Sequence, residues 1–151
     1  MKTCGIVGRG NVSQAHFQKK LELLADKGVE EFVVSMDKDV GLTAAKTVLA
    51  LKKHRPDLRL TCLLLWEEQA ADWPEMVREQ WFDTIAACDQ EVMLEHHRTS
   101  DNLHKQVVFL SEHCDVLLLV LENPSDPDWN LSQQAQAAGL TVWKLENPAH
   151  D

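Results

Sequence analysis

Several large classes of protein are excluded by what this chain lacks. No apolar run approaches the roughly 20 residues that a membrane-spanning helix needs. The N-terminus runs directly into a strand-like segment, with no basic stretch and long apolar core ahead of it. Both absences predict a soluble, cytoplasmic protein that meets no membrane. The four cysteines, Cys4, Cys62, Cys88 and Cys114, form no C-x-x-C pair and lie in or beside apolar runs. That pattern reads as buried thiols in a reducing compartment rather than a disulfide scaffold. No Lys/Arg cluster with interleaved aromatics is present, and 24 acidic against 15 basic side chains give a formal charge of -9. Such a balance opposes attachment to nucleic acid or to anionic lipid. Ser-His-Asp order, zinc-ligand spacing and cysteine-histidine pairing are also missing, so no catalytic residue and no metal site is assigned.

What is present is a chain of 151 residues that fits one domain, taken as 1–147 with 148–151 as a frayed tail. Its opening stretch reads as strand, glycine turn and helix. Cys4, Ile6 and Val7 are apolar, Gly8 and Gly10 interrupt them, and Ser13 stands at a helix N-cap ahead of Phe17, Leu21 and Leu24 at helical spacing. A turn of this kind aims backbone N–H groups and a helix dipole at one point, where a phosphate or carboxylate can sit. The spacing Gly8-x-Gly10-x-x-Ser13 approaches the dinucleotide fingerprint, with serine in place of the last glycine. The alternative is a tight strand-to-helix turn that uses glycine only for its backbone angles.

Lys27-Gly28 ends the first helix, and strands follow at 31–36, 59–66, 90–96, 115–122 and 141–146. Between them the apolar spacing predicts helices over 42–54, from Pro74 to about Cys88, over 103–113 and over 131–138. Strict alternation of this kind predicts a three-layer, doubly wound, Rossmann-like α/β fold with a mostly parallel sheet of about six strands. Ligands of such sheets bind beyond the carboxyl ends of the strands, near the point where strand order reverses. The loops to read are therefore Gly8 to Ser13, Asp37 to Gly41, Trp66 to Trp73, His96 to Asn102 and Asn123 to Trp129.

The segments FVVSMDKDVGLTAAKTVLALKKHRPDLRL and LLLWEEQAADWPEMVREQW carry a further pattern. Gln69, Trp73 and Arg78 hold a Q-x-x-x-W-x-x-x-x-R spacing, Ala44-Ala45 and Val48 to Pro56 hold an AAExVLxLKKxxP spacing, and Cys4 with Gly8 fits a first C-x-x-x-G strand. In these respects the chain resembles the YpsA-like family of unknown function, within the SLOG superfamily of Rossmann-like domains. The resemblance covers nearly the whole chain and implies a nucleotide-like small ligand, whose identity and cofactor remain unassigned. Its departures fall at the ligand loops. The family's GHR is Gly8-Arg9-Gly10 here, its GMAxGxD turn is replaced by Ser35 to Gly41, and its arginine-asparagine pair falls on Gln106 and Val107. The superfamily's GGT loop aligns with Asp126-Pro127-Asp128, where proline has no N–H and two carboxylates oppose an anion. Nothing after Glu122 reproduces the PGGxGTxxE motif of the related phosphoribohydrolases.

The candidate ligand contacts are Gly8, Arg9, Gly10, Asn11, Ser13, Asp37, Gln69, Trp73, Arg78, His97 and Arg98. Trp73 offers a ring to stack on a base, and Arg78 a clamp for carboxylate or phosphate. Against this, Trp73 closes a helix start and Arg78 pairs with Glu75 or Glu79. His96, His97 and Arg98 supply cations at a strand end or form a solvated loop. Asp37, Asp39, Asp126 and Asp128 would hold Mg²⁺ only on convergence. Trp66, Trp81 and Trp143 read as core or partner surface. Three functions fit: a SLOG-type domain that binds or senses a nucleotide-like molecule, an interaction domain or homodimer with a decayed pocket, and an NAD-type dinucleotide binder with Asp37 on a ribose hydroxyl.

Overall fold

The computed structural model describes residues 2–10, 12–97, 102–121, 131–137 and 139–146. Among these residues six strands and five helices alternate: β1 (Lys2–Gly8), α1 (Gln14–Asp26), β2 (Val29–Ser35), α2 (Val40–Lys52), β3 (Arg59–Leu64), α3 (Glu75–Ala86), β4 (Gln90–Met93), α4 (Asn102–His113), β5 (Val116–Leu121), α5 (Leu131–Ala137) and β6 (Thr141–Glu146). Every strand pair is parallel and the spatial order is β4-β3-β2-β1-β5-β6. The chain winds outward from β1 to β4, then crosses back to lay β5 on the other side of β1. That reversal places the switch point between β1 and β5.

Right-handed crossovers require the helices of the two halves to lie on opposite faces. Phe17, Leu21 and Leu24 of α1, Ala44 and Val48 of α2, and Trp81 and Ile85 of α3 bury one face against Ile6, Phe32, Val34, Leu60 and Leu118. Val107 and Leu110 of α4 and Ala135 of α5 bury the other against Val7, Val33, Leu63, Leu117 and Leu119. The alternation of neighbours such as Ile6 and Val7 between the two clusters is the period of two that a strand imposes. Among the described residues, no helix is long and apolar enough to cross a membrane.

The element order matches the one read from sequence, and the differences are local. The β3 ladder stops at Leu64, so Trp66 belongs to the following turn. Assigned β4 ends at Met93, although Leu94 and Glu95 still donate to the carbonyls of Leu64 and Leu65 at 2.7 and 3.2 Å. Cys88 is half-buried rather than buried, because it lies past the end of α3 instead of within a strand. The expected tail lies outside the described residues.

At the switch point Gly8 pairs with Val120, and the Arg9 N–H donates to the Val120 carbonyl at 2.8 Å. A Cβ on Gly8 would sit 1.8 Å from that carbonyl oxygen. Gly8→Ala is therefore expected to pry β1 from β5 and cost about 3 kcal/mol or more in urea denaturation. Gly28→Ala meets no atom within 4 Å at φ +107° and should cost only about 1–2 kcal/mol, from its backbone angle alone.

Candidate functional site

The expected contacts divide between two places at the carboxyl edge of the sheet. The first is the turn after β1. Gly10 adopts φ +106°, which turns the chain toward α1, and the Ser13 Oγ accepts the His16 N–H at 3.2 Å as the N-cap. No acidic side chain lies in the first turn of α1, where the positive end of its dipole lies. Arg9 is exposed beside it. Asn11 lies outside the described residues, as do Arg98, Glu122 and the whole Asp126-Pro127-Asp128 loop.

The second place is a cleft of about 840 Å³ over the ends of β2, β3 and β4. Asp37, Lys38 and Asp39 form one wall, the 65–73 segment another, and His96 with His97 the third. Among the described residues five carboxylates line it, those of Asp37, Asp39, Glu67, Glu68 and Asp72, against the single ammonium of Lys38. Trp66 and Trp73 are its aromatic walls. At the mouth the His96 Nδ1 and Glu67 Oε1 are 3.0 Å apart, joining the loops that follow β3 and β4. Among the described residues no group of three or more His, Cys, Asp or Glu is arranged to hold a metal ion.

Beneath the cleft the carbonyl of Met36 organises the polar groups. It accepts the Gln69 Nε2 at 2.6 Å and the Trp81 Nε1 at 3.2 Å, while the Gln69 Oε1 accepts the Leu65 N–H at 2.9 Å. Gln69 therefore spends both ends of its amide inside the protein. Trp81 in turn holds Trp73 edge-to-face, with ring centroids 5.4 Å apart, a favoured aromatic geometry. The Q-x-x-x-W spacing thus builds the cleft wall, and of its two side chains Trp73 presents surface to the cleft. Arg78 departs from expectation. It lines an adjoining groove with Trp81 and Phe82, which shares Glu67, Glu68 and Ala71 with the cleft, and its guanidinium donates to the Ala71 carbonyl at 3.3 Å instead of pairing with Glu75 or Glu79.

Asp37 turns its carboxylate onto the start of α2, accepting the N–H of Asp39 at 3.2 Å and that of Gly41. Burial pushes its pKa up to about 6, and the N–H groups of Gly41 and Asp39 pull it back only in part. Sequence reading did not single out Glu67, Glu68 or Asp72 as cleft residues. Their available signal was a run of acids immediately after a strand. Trp81 reads from sequence as core or partner surface, and its buried N–H bond to Met36 has no sequence signature.

An all-parallel, doubly wound sheet with helices on both faces defines a Rossmann-like α/β protein. The family profile YpsA, described as the YspA SLOG family, matches residues 10–142, and the chain belongs to that family. The UPF0398 protein BH1768 of Halalkalibacterium halodurans is 28% identical over 119 residues, covering 76% of this chain and 63% of its own. The UPF0398 protein YpsA of Bacillus subtilis is 29% identical over 105 residues, covering 68% of this chain and 58% of its own. The chain thus spans about three-fifths of the length of these curated relatives. The apo homocysteine methyltransferase MmuM of Escherichia coli superposes with a TM-score of 0.39 at 16% identity, over 96% of this chain and 57% of its own. A likeness of that degree carries no argument about chemistry.

Two outcomes test the cleft's construction. Gln69→Leu strands the buried Leu65 N–H and is expected to lower unfolding free energy by about 1–3 kcal/mol. Because the folded pKa of Asp37 lies above its ordinary 3.8, its contribution to stability is fully present below that value and is lost as pH rises through about 6. Asp37→Asn removes that loss. The variant's stability relative to wild type should therefore rise between pH 4 and pH 6, followed by urea denaturation at each pH.

Proposed function

We propose that this SLOG domain binds or senses a small nucleotide-like molecule, with its anionic group at the turn after β1 and its ring end over the cleft. The observation that carries this reading is the separation of the two places. Neighbouring strands lie about 4.8 Å apart, so the end of β1 and the end of β3 are about 10 Å apart across β2. That distance is the reach of a nucleoside monophosphate from phosphate to base.

Charge assigns the orientation. The five cleft carboxylates repel a phosphate, whereas the N-terminus of α1, with Gly8, Gly10 and Arg9 beside it, attracts one. Carboxylates suit the amino and ring N–H donors of a base, and Trp73 gives it a surface. Asp37 is committed to the first turn of α2, which weakens the NAD-type alternative that needs this carboxylate on a ribose. No reacting group is assigned, and the reading is of binding rather than catalysis.

The test is calorimetry and thermal shift with nucleoside monophosphates, ADP-ribose and NAD(P). Ligand at about a hundred times its dissociation constant adds about 2.7 kcal/mol, several degrees for a domain of this size. Gly10→Asp should abolish binding, while Gly10→Asn, which meets the same positive φ without a charge, should retain most of it. No shift with any nucleotide, or equal loss in both variants, overturns the assignment of the anion to this turn.

A further inference from the structure

Two of the four cysteines meet where the turn after α3 enters β4. Cys62 is fully buried in β3. Cys88 lies between α3 and β4, half-buried and packed against the apolar cluster that contains Cys62. Alternation along β3 turns Leu60 and Cys62 to the same face, the one covered by α2 and α3. The next residue pins the turn to that strand. The Asp89 N–H donates to the Leu60 carbonyl at 2.8 Å, and the Asp89 carboxylate accepts the Leu60 N–H at 2.7 Å and the Lys52 ammonium at 2.6 Å. Gln90 then pairs with Thr61.

The two sulfurs face one another. The Cys88 thiol donates to the Gln90 carbonyl at 3.2 Å, which turns the lone pairs of its sulfur to Cys62, and the two side chains share a hydrogen bond. Burial and the neighbouring Cys88 push the Cys62 thiol well above its ordinary range, so Cys62 keeps its proton. Half-exposed Cys88 is the sulfur that an oxidant reaches first. The other neighbouring pair, Cys4 and Cys114, is buried at both members.

We infer that Cys62 and Cys88 are a reversible dithiol–disulfide pair that hydrogen peroxide closes in two steps. The Cys88 sulfur attacks one peroxide oxygen, the O–O bond breaks, and a sulfenic acid and water form. The Cys62 sulfur then attacks the Cys88 sulfur, and the hydroxyl leaves as water with the Cys62 proton. The two thiols lose two electrons together, and the peroxide that takes them is reduced to water. The new bond, about 2.05 Å long, draws the turn at 87–89 against β3. It joins α3, which carries Trp81, to the strand that leads into the 65–73 wall of the cleft.

The test exposes the full chain to hydrogen peroxide, alkylates the remaining thiols in urea and maps the peptides by mass spectrometry. A Cys62–Cys88 cross-linked peptide should appear, with Cys4 and Cys114 alkylated, and dithiothreitol should remove the cross-link. Cys88→Ser, at a half-exposed position, should leave Cys62 a free thiol at the same dose. Cys62→Ala should let the Cys88 sulfenic acid accumulate, where dimedone traps it. A wild-type chain that keeps all its thiols at a dose that fully oxidises free cysteine overturns the proposal. So does Cys88 sulfinic acid beside an unreacted Cys62, a bridge between two chains instead of within one, or Cys62 oxidation undiminished in Cys88→Ser.

Discussion

The sheet is held together at a single seam, the pairing of β1 with β5. The halves β2-β3-β4 and β6 each attach through one of these two strands, so the seam carries the whole architecture. It is closed at its amino end by Asp115, whose carboxylate accepts the Thr3 N–H at 3.0 Å and whose own N–H donates to the Thr3 carbonyl at 2.8 Å. At its carboxyl end Gly8 lies against the backbone of Val120. In the middle Gly5 lets α4 press onto the sheet, where an added Cβ would lie 3.1 Å from Leu110. Glycine at Gly5 and Gly8 thus serves packing before it serves any ligand. The same closeness at Gly8 sets where the turn into α1 begins.

The site follows from that seam. Because β1 is an inner strand, its carboxyl turn opens at the reversal of strand order, while the cleft lies to one side over β2, β3 and β4. Among the described residues the two places differ in electrostatic character. One offers a helix N-terminus and Arg9, the other five carboxylates around two tryptophans. The cleft owes its shape to buried hydrogen bonds: the Met36 carbonyl binds Gln69 and Trp81 together, and Trp81 positions Trp73. The floor of the cleft is fixed by these bonds, since in this interior an unpaired amide would cost about 1–3 kcal/mol.

Much of this was legible from residue order. The Ser13 cap, the Gly28 stop, the continuous apolar runs of β3 and β5 and the parallel pairing they imply are consequences of local periodicity and turn chemistry. The site was legible only in part. Gln69 and Trp73 were visible as a spacing, but spacing does not reveal that an amide is consumed by its own backbone, nor that Arg78 turns toward Ala71. Trp143 was read as core or partner surface. It is half-buried, with the ammonium groups of Lys20 and Lys27 at 3.9 and 4.4 Å from its ring centroid, a pairing between α1 and β6 that no local pattern encodes.

By itself, then, the sequence determined the kind and order of the elements, because helix and strand periods and caps act over a few residues. It also determined a parallel sheet covered on both faces, because alternating elements with right-handed connections admit few alternatives. Only the tertiary structure decided which loops share a cleft and which polar side chains are spent inside it. Those outcomes depend on contacts between residues far apart in the chain, such as Met36 with Trp81, whose distances are set by packing and strand order.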